Sequence, residues 1–229
     1  SQPTLLGDIA EVVENRYEND YLLRLNDAWQ THVDRSTMWK SETIPLQKDF
    51  YSRFVKKLRD KDTKAVVVIS DAMRYEVGEE LLRRIREQDK FDAQIEPILS
   101  SLPSYTQLGM ASLLPHEQLS ISDAEKAVVS INGNPTTGLE NRKKILASNP
   151  NGDRTAAWQA TDFLELKSID AKEIIRDHDV LYIYHNVIDA TGDSAKTEEK
   201  VFEAVEDALV ELVTLVRKLT SANAGHIFV

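Results

Sequence analysis

Asp71, Thr106, Asp189 and Asp193 are the residues whose types and placement could do chemistry together. Asp71 ends the apolar run of residues 64–70, whose β-branched Val66, Val67, Val68 and Ile69 show no polar alternation. Such a run marks a strand covered on both faces, and hence a parallel sheet. Open parallel sheets collect ligands outside the carboxyl ends of their strands, so Asp71 falls at a site position. Asp189 and Asp193 follow a second apolar run, residues 179–184. Thr106, with Ser104 before it, opens a short apolar helix that stops before Pro115. Free N–H groups at a helix start favour an anion, and Ser104 alone would suffice as the cap, which leaves Thr106 for another task. Hard oxygen donors with an alcohol among them suit a Zn²⁺-like divalent cation. It would lower the hydroxyl pKa and clamp a phosphoryl oxygen. Acids at strand ends also serve as helix caps and loop acceptors, so the residues alone leave both roles open.

The elements that must position these groups are an α/β core and a helical prefix. Apolar residues at three- and four-residue intervals from Leu5 to Val33 predict two helices with a break near Asn19-Asp20, and their aromatic stripe is expected in a core. His32 reads as a surface or half-buried residue of that stretch. A further helix is expected over 46–58, with Pro45 at its start. Strands are expected over 64–70, 91–99, 179–184 and 225–229, the second weakened by Pro97. Helices are expected over 71–88, 139–146, 169–176 and 197–219. Asn132-Gly133 predicts a tight hairpin turn. Arg142, Lys143 and Lys144 could meet phosphate, although a solvated helix face is the plainer expectation. The fold class is therefore α/β, a mostly parallel sheet flanked by helices, with an N-terminal helical segment over 1–62. The α/β domain is expected over 63–229, with 117–168 as an insertion or cap.

Composition narrows the function. The chain has 229 residues, 41% hydrophobic and 29% charged, enough for one α/β unit plus an attachment. Its formal charge of −10 argues against strong direct nucleic-acid binding. A small phosphorylated or phosphodiester substrate stays open, because a metal can supply local positive charge. Cysteine is absent, which leaves carboxylate, imidazole and hydroxyl as the chemical repertoire. No apolar stretch approaches the roughly 20 residues a membrane span needs, and no basic-then-apolar signal opens the chain. A cytoplasmic protein without membrane association is expected. No Gly-x-Gly-x-x-Gly follows the first strand, which weakens a nucleotide-binding alternative.

The order of the pieces resembles the alkaline phosphatase superfamily. Its phosphodiesterase branch carries an acid after the first strand, then a nucleophilic Thr with a Ser six residues on, as Thr106 and Ser112 stand here. Asp189-Ala190-Thr191-Gly192-Asp193 is similar to its later Asp-x-x-Gly-His element, with Asp in place of His. More narrowly, Ser70-Asp71-Ala72-Met73-Arg74-Tyr75-Glu76, the stretch from Leu102 through Thr106 to Pro115, and Tyr184-His185-Asn186-Val187-Ile188-Asp189 resemble the PglZ domain of bacterial BREX-type phage-defence systems. The resemblance covers residues 64–229. It implies a metal-dependent phosphomonoesterase or phosphodiesterase with a pair of divalent metals, Zn²⁺ by expectation. Thr106 would be the nucleophile, sharing one metal with Asp71, while Asp189 and Asp193 would serve the second. His185 could reach the site or be structural. Tyr75 and Glu76 would brace the following helix, and Arg74 could reach a phosphate or an internal carboxylate. Implied partners are other phage-defence proteins, including a DNA methyltransferase. In the superfamily an Asp-His-Gly element follows the strand corresponding to residues 226–229. The chain stops before it, so a truncated, inactive fragment with an incomplete metal site and weak or no Zn²⁺ binding is expected. The alternative is a catalytically silent scaffold that keeps the phosphatase fold.

Overall fold

The computed structural model describes residues 5–88, 91–122, 127–149, 152–192 and 200–229. They form two compact units, residues 1–41 and 42–229.

In the first unit, α1 (Leu5–Asn15) runs through a π-helical segment (Arg16–Leu22) into α2 (Leu23–Arg35). The expected break at Asn19-Asp20 is absent, because Asn15 and Leu22 both keep right-handed helical backbone and wider turns carry the chain past the polar pair. The apolar stripe is not a core. Ile9, Val12, Val13, Tyr17, Tyr21, Leu25 and Trp29 are 51–60% exposed. A single helix has nothing of its own on which to close an apolar face, so regular spacing alone could not bury these residues. Local ring contacts are what they have, Tyr17 on Tyr21 and Trp29 edge-on to Trp39. His32 is exposed, as expected.

The second unit opens with a helical stretch built from a 3-10 turn (Gln47–Asp49), a π-helical turn (Tyr51–Val55) and α3 (Lys56–Arg59). Then come β1 (Ala65–Ser70), α4 (Tyr75–Arg86) and α5 (Thr106–Ser112). A small antiparallel sheet, β2 (Leu119–Ile121), β3 (Val129–Ile131) and β4 (Asn134–Pro135), leads to α6 (Leu139–Ala147). The chain continues through β5 (Thr155–Gln159), α7 (Ala160–Glu165), α8 (Ser168–Asp177), β6 (Val180–His185) and α9 (Val187–Gly192). It finishes with α10 (Val201–Ser221) and β7 (Ile227–Phe228). The main sheet has the order β5-β6-β1-β7, with every pairing parallel. This is the expected α/β class.

Alternation along the strands divides the core. Val67, Ile69, Tyr182 and Tyr184 face Phe50, Tyr51, Val55, α5 and α6. Val66, Val68, Leu181 and Ile183 face α4, α7, α8 and α10. With side chains of β1 and β6 buried on both faces, the unbroken β-branched run is explained. Asn132 and Gly133 both take positive φ, the conformation a tight hairpin turn demands, and join β3 to β4.

Two strand assignments shift. Residues 91–98 form no strand among the described residues; only Leu99 makes a bridge, to Leu46. Pro97 lacks the N–H a ladder needs, which accounts for the loss. The missing edge strand is instead β5, whose alanines gave no β-branched signal. At the sheet's opposite rim two half-buried carboxylates are tied to arginine: Arg59 Nε donates to Asp153 at 3.0 Å, and Arg154 makes a two-point pair with Asp179.

Candidate active site

β1 and β6 end in register, with Ser70 beside His185. The ladder runs one step further, since the Asp71 N–H donates to the His185 carbonyl at 2.9 Å. The chain then turns sharply. Ala72 takes a left-handed φ of 60°, and its N–H donates to Asp71 Oδ1 at 3.0 Å. A β-carbon in that conformation carries about 1 kcal/mol of strain or more, which surrounding structure must hold in place. Backbone and bond together fix the half-buried Asp71 carboxylate at the carboxyl edge of the sheet. On the neighbouring strand, β6 passes through Asn186 straight into α9, which puts Asp189 in that helix's first turn.

These acids feel each other. The Asp71 carboxyl is held above its ordinary range, first because burial strips its solvation and then because the Asp189 carboxylate repels its charge. The Ala72 N–H and the Arg142 guanidinium pull in the opposite direction. Two carboxylates crowded at one edge are a natural place for a cation, which would relieve both burial and repulsion.

Thr106 is the first residue of α5, and it is exposed. Leu108 and Ala111 of this helix pack in the same cluster as Ile69 and Tyr184, so α5 lies on the face of the sheet that Asp71 follows in alternation. The Thr106 hydroxyl makes no hydrogen bond among the described residues, to Asp71, Asp189 or any other group. Tyr105, in extended conformation, takes the N-cap position in place of the expected Ser104, and it supplies no side-chain cap. Ser112 is fully buried. Its hydroxyl donates to the Leu108 carbonyl and meets Ser101, a structural task. Asp193 lies outside the described residues. Among the described residues, no three His, Asp or Glu side chains gather closely enough to hold a metal ion. The donors that do gather, a pair of mutually repelling carboxylates, fit a hard divalent cation in chemistry, with Thr106 on the adjoining face as a further oxygen.

His185 does not join this edge. It follows Leu181 and Ile183 on the other face, where Ser70 Oγ shares a 2.9 Å hydrogen bond with Nδ1 and Nε2 stands 3.5 Å from Glu211 Oε1 on α10. Neither Nε2 nor Oε1 has a hydrogen-bond partner among the described residues. Burial lowers the His185 pKa to about 4 and raises that of Glu211. A depressed base takes up its proton later in the folded chain than in the unfolded one. Its stabilising share is therefore whole above pH 6.5 and is lost as pH falls toward 4. Asp71 and Glu211, as raised carboxyls, work in the opposite sense by losing stability as pH rises. His185→Gln is thus expected to flatten the fall in stability between pH 6.5 and 4 by up to about 1.4 kcal/mol per pH unit. Urea titrations at stepped pH on both proteins read this difference.

Arg142 departs from its expected solvated face. Its guanidinium carbon sits 4.6 Å from the centre of the buried Tyr184 ring, and Nε donates to the Thr136 carbonyl at 3.1 Å. Lys143, by contrast, pairs with Glu140 in solvent, and Lys144 is exposed. The signal that could have found Arg142 is its place three residues into a helix that follows the Asn132-Gly133 hairpin, but its contact with Tyr184 is long-range.

A parallel four-stranded sheet flanked by helices is consistent with an α/β protein of the alkaline-phosphatase-like kind. Residues 50–229 match the BREX system PglZ alkaline phosphatase-like domain, and the chain belongs to that family. It is 42% identical over 231 residues to the alkaline phosphatase-like protein BrxZ of Escherichia coli O9:H4 (strain HS), covering 98% of this chain and 26% of the relative. It is 36% identical over 224 residues to the alkaline phosphatase-like protein PglZ of Bacillus cereus (strain H3081.97), covering 96% of this chain and 26% of the relative. The chain thus spans about a quarter of the length of either. Among the described residues no helix is long and apolar enough to cross a membrane.

Proposed function

We propose that this chain supplies part of the active site of a metal-dependent phosphoric-ester hydrolase that works in bacterial anti-phage defence. The observation that supports it best is the placement of Asp71 at the end of β1 and of Asp189 in the first turn of α9, just past β6, at one carboxyl edge of the parallel sheet. Asp71 and Thr106 would hold one divalent cation, Zn²⁺ by preference, and Asp189 with Asp193 a second. When bound, such ions lower the pKa of an alcohol and neutralise charge on a phosphoryl group. Thr106 would give up its proton to water and attack phosphorus, the P–O bond to the leaving alcohol breaking as that alcohol takes a proton from water. A second water would then cleave the phosphothreonine to release phosphate ester and free Thr106. Its hydroxyl is unencumbered among the described residues, which suits a nucleophile. Asp71, fixed by the Ala72 turn, orients the attacking oxygen. In the cell this activity would be exercised beside other BREX proteins, a DNA methyltransferase among them.

Hydrolysis of a chromogenic phosphodiester by the protein at the full length of its relatives tests this. Chelation should abolish turnover and added Zn²⁺ should restore it. Turnover indifferent to chelation would sink the metal-dependent mechanism. A second reading, a scaffold that keeps the fold without catalysis, draws on the absence of a three-ligand cluster among the described residues. It predicts no turnover under any metal, with defence partners still held by Asp71→Ala and Thr106→Ala variants.

A further inference from the structure

The geometry points to Arg142 as the residue that receives the non-bridging oxygens of a phosphoryl group at the Asp71 edge. This rests on the hydrolase reading and names the group that recognises its substrate class.

Arg142 is built into place. Its acceptor carbonyl belongs to Thr136, itself buried, whose N–H and hydroxyl both donate to the Val129 carbonyl at 3.0 Å. One face of the guanidinium covers the Tyr184 ring, and its Nε edge is spent on Thr136. The terminal nitrogens make no ion pair within 4.0 Å among the described residues. Arg59, Arg83, Arg84, Arg154 and Arg176 all have carboxylate partners at 3.0 Å or less. A half-buried guanidinium that is stacked and aimed yet has no carboxylate partner among the described residues is poised for an anion, because its planar fork matches paired phosphoryl oxygens.

A second observation falls at the same place. The Tyr184 hydroxyl is buried and makes no well-formed hydrogen bond among the described residues, with the Arg142 guanidinium as its polar neighbour, although unmade bonds of this kind are costly and rare. An oxyanion beside Arg142 would give it one. The charge balance agrees. Asp71 and Asp189 would repel a phosphate, and Arg142 is, among the described residues, the cation whose field reaches Asp71.

Inorganic phosphate, titrated into the Zn²⁺-loaded full-length protein by calorimetry, is the probe. Arg142→Ala should weaken phosphate binding by about tenfold or more, as loss of a charge-assisted two-point contact implies. Arg142→Lys should recover only part of it, and Tyr184→Phe should weaken binding less than Arg142→Ala. Thermal midpoints of each variant establish that the fold is kept, and the lysine variant retains the charge where alanine unfolds. Phosphate binding unchanged in Arg142→Ala but lost in Asp71→Asn would overturn the role of Arg142 and leave the metal site standing. Binding lost in Arg142→Ala yet indifferent to chelation and to Asp71→Asn would uphold Arg142 and remove the metal. Absence of saturable phosphate binding by the unmodified protein would overturn Arg142 as well.

Discussion

Thr106→Ala is expected to lower phosphodiester turnover by the full-length protein on the order of 10⁴-fold, while stability changes by no more than about 0.5 kcal/mol. The two halves of this expectation have separate causes. A nucleophile that forms a covalent intermediate has no substitute among neighbouring groups, so its loss leaves only binding and electrostatics to act. The structural cost is small because Thr106 is exposed and its hydroxyl has no hydrogen-bond partner among the described residues, so truncation orphans nothing there. Alanine is also the better helix former at the start of α5. Steady-state turnover set beside thermal unfolding measures both. Retained turnover in a folded Thr106→Ala protein would remove the nucleophile from the mechanism.

Asp71→Asn carries the second large effect, and its signs differ for stability and function. The amide is nearly isosteric, and its oxygen can still accept the Ala72 N–H. What it removes is a charge that burial and Asp189 both penalise. The metal-free variant should therefore melt higher, by about 2–4 °C, the shift that 1 kcal/mol produces in a chain of this size. Metal-supported turnover should fall by on the order of 10³-fold, because a neutral oxygen is a poor ligand for a divalent cation. Gain in stability joined to loss of function is what a carboxylate kept for chemistry produces. A variant that melts lower and keeps its activity would mark Asp71 as a loop-fixing acceptor.

Much of the sheet was legible because its strands are apolar on both faces and pair in parallel, so that residues 64–70 and 179–184 carry their environment in their own composition. The acids that end them were legible for the same reason. β5 was not, since Thr155-Ala156-Ala157-Trp158-Gln159 owes its place to pairing with β6 rather than to any local preference. The exposed stripe of α1 and α2 shows the converse, a clear local pattern that spacing could not assign to a partner. His185 stood next to the acids in sequence, yet strand alternation turns it to the opposite face. Arg142 reaches the site region from a helix far along the chain, and no spacing between residues 142 and 184 announces a ring contact.

Anomalous diffraction from crystals of the full-length protein grown with Zn²⁺ tests the central claim most directly. The proposed site requires a metal peak about 2.0–2.2 Å from both an Asp71 carboxylate oxygen and Thr106 Oγ, with a second peak at Asp189. Ordered zinc bound elsewhere, with Thr106 Oγ and the Asp71 carboxylate facing separate surfaces, would contradict it.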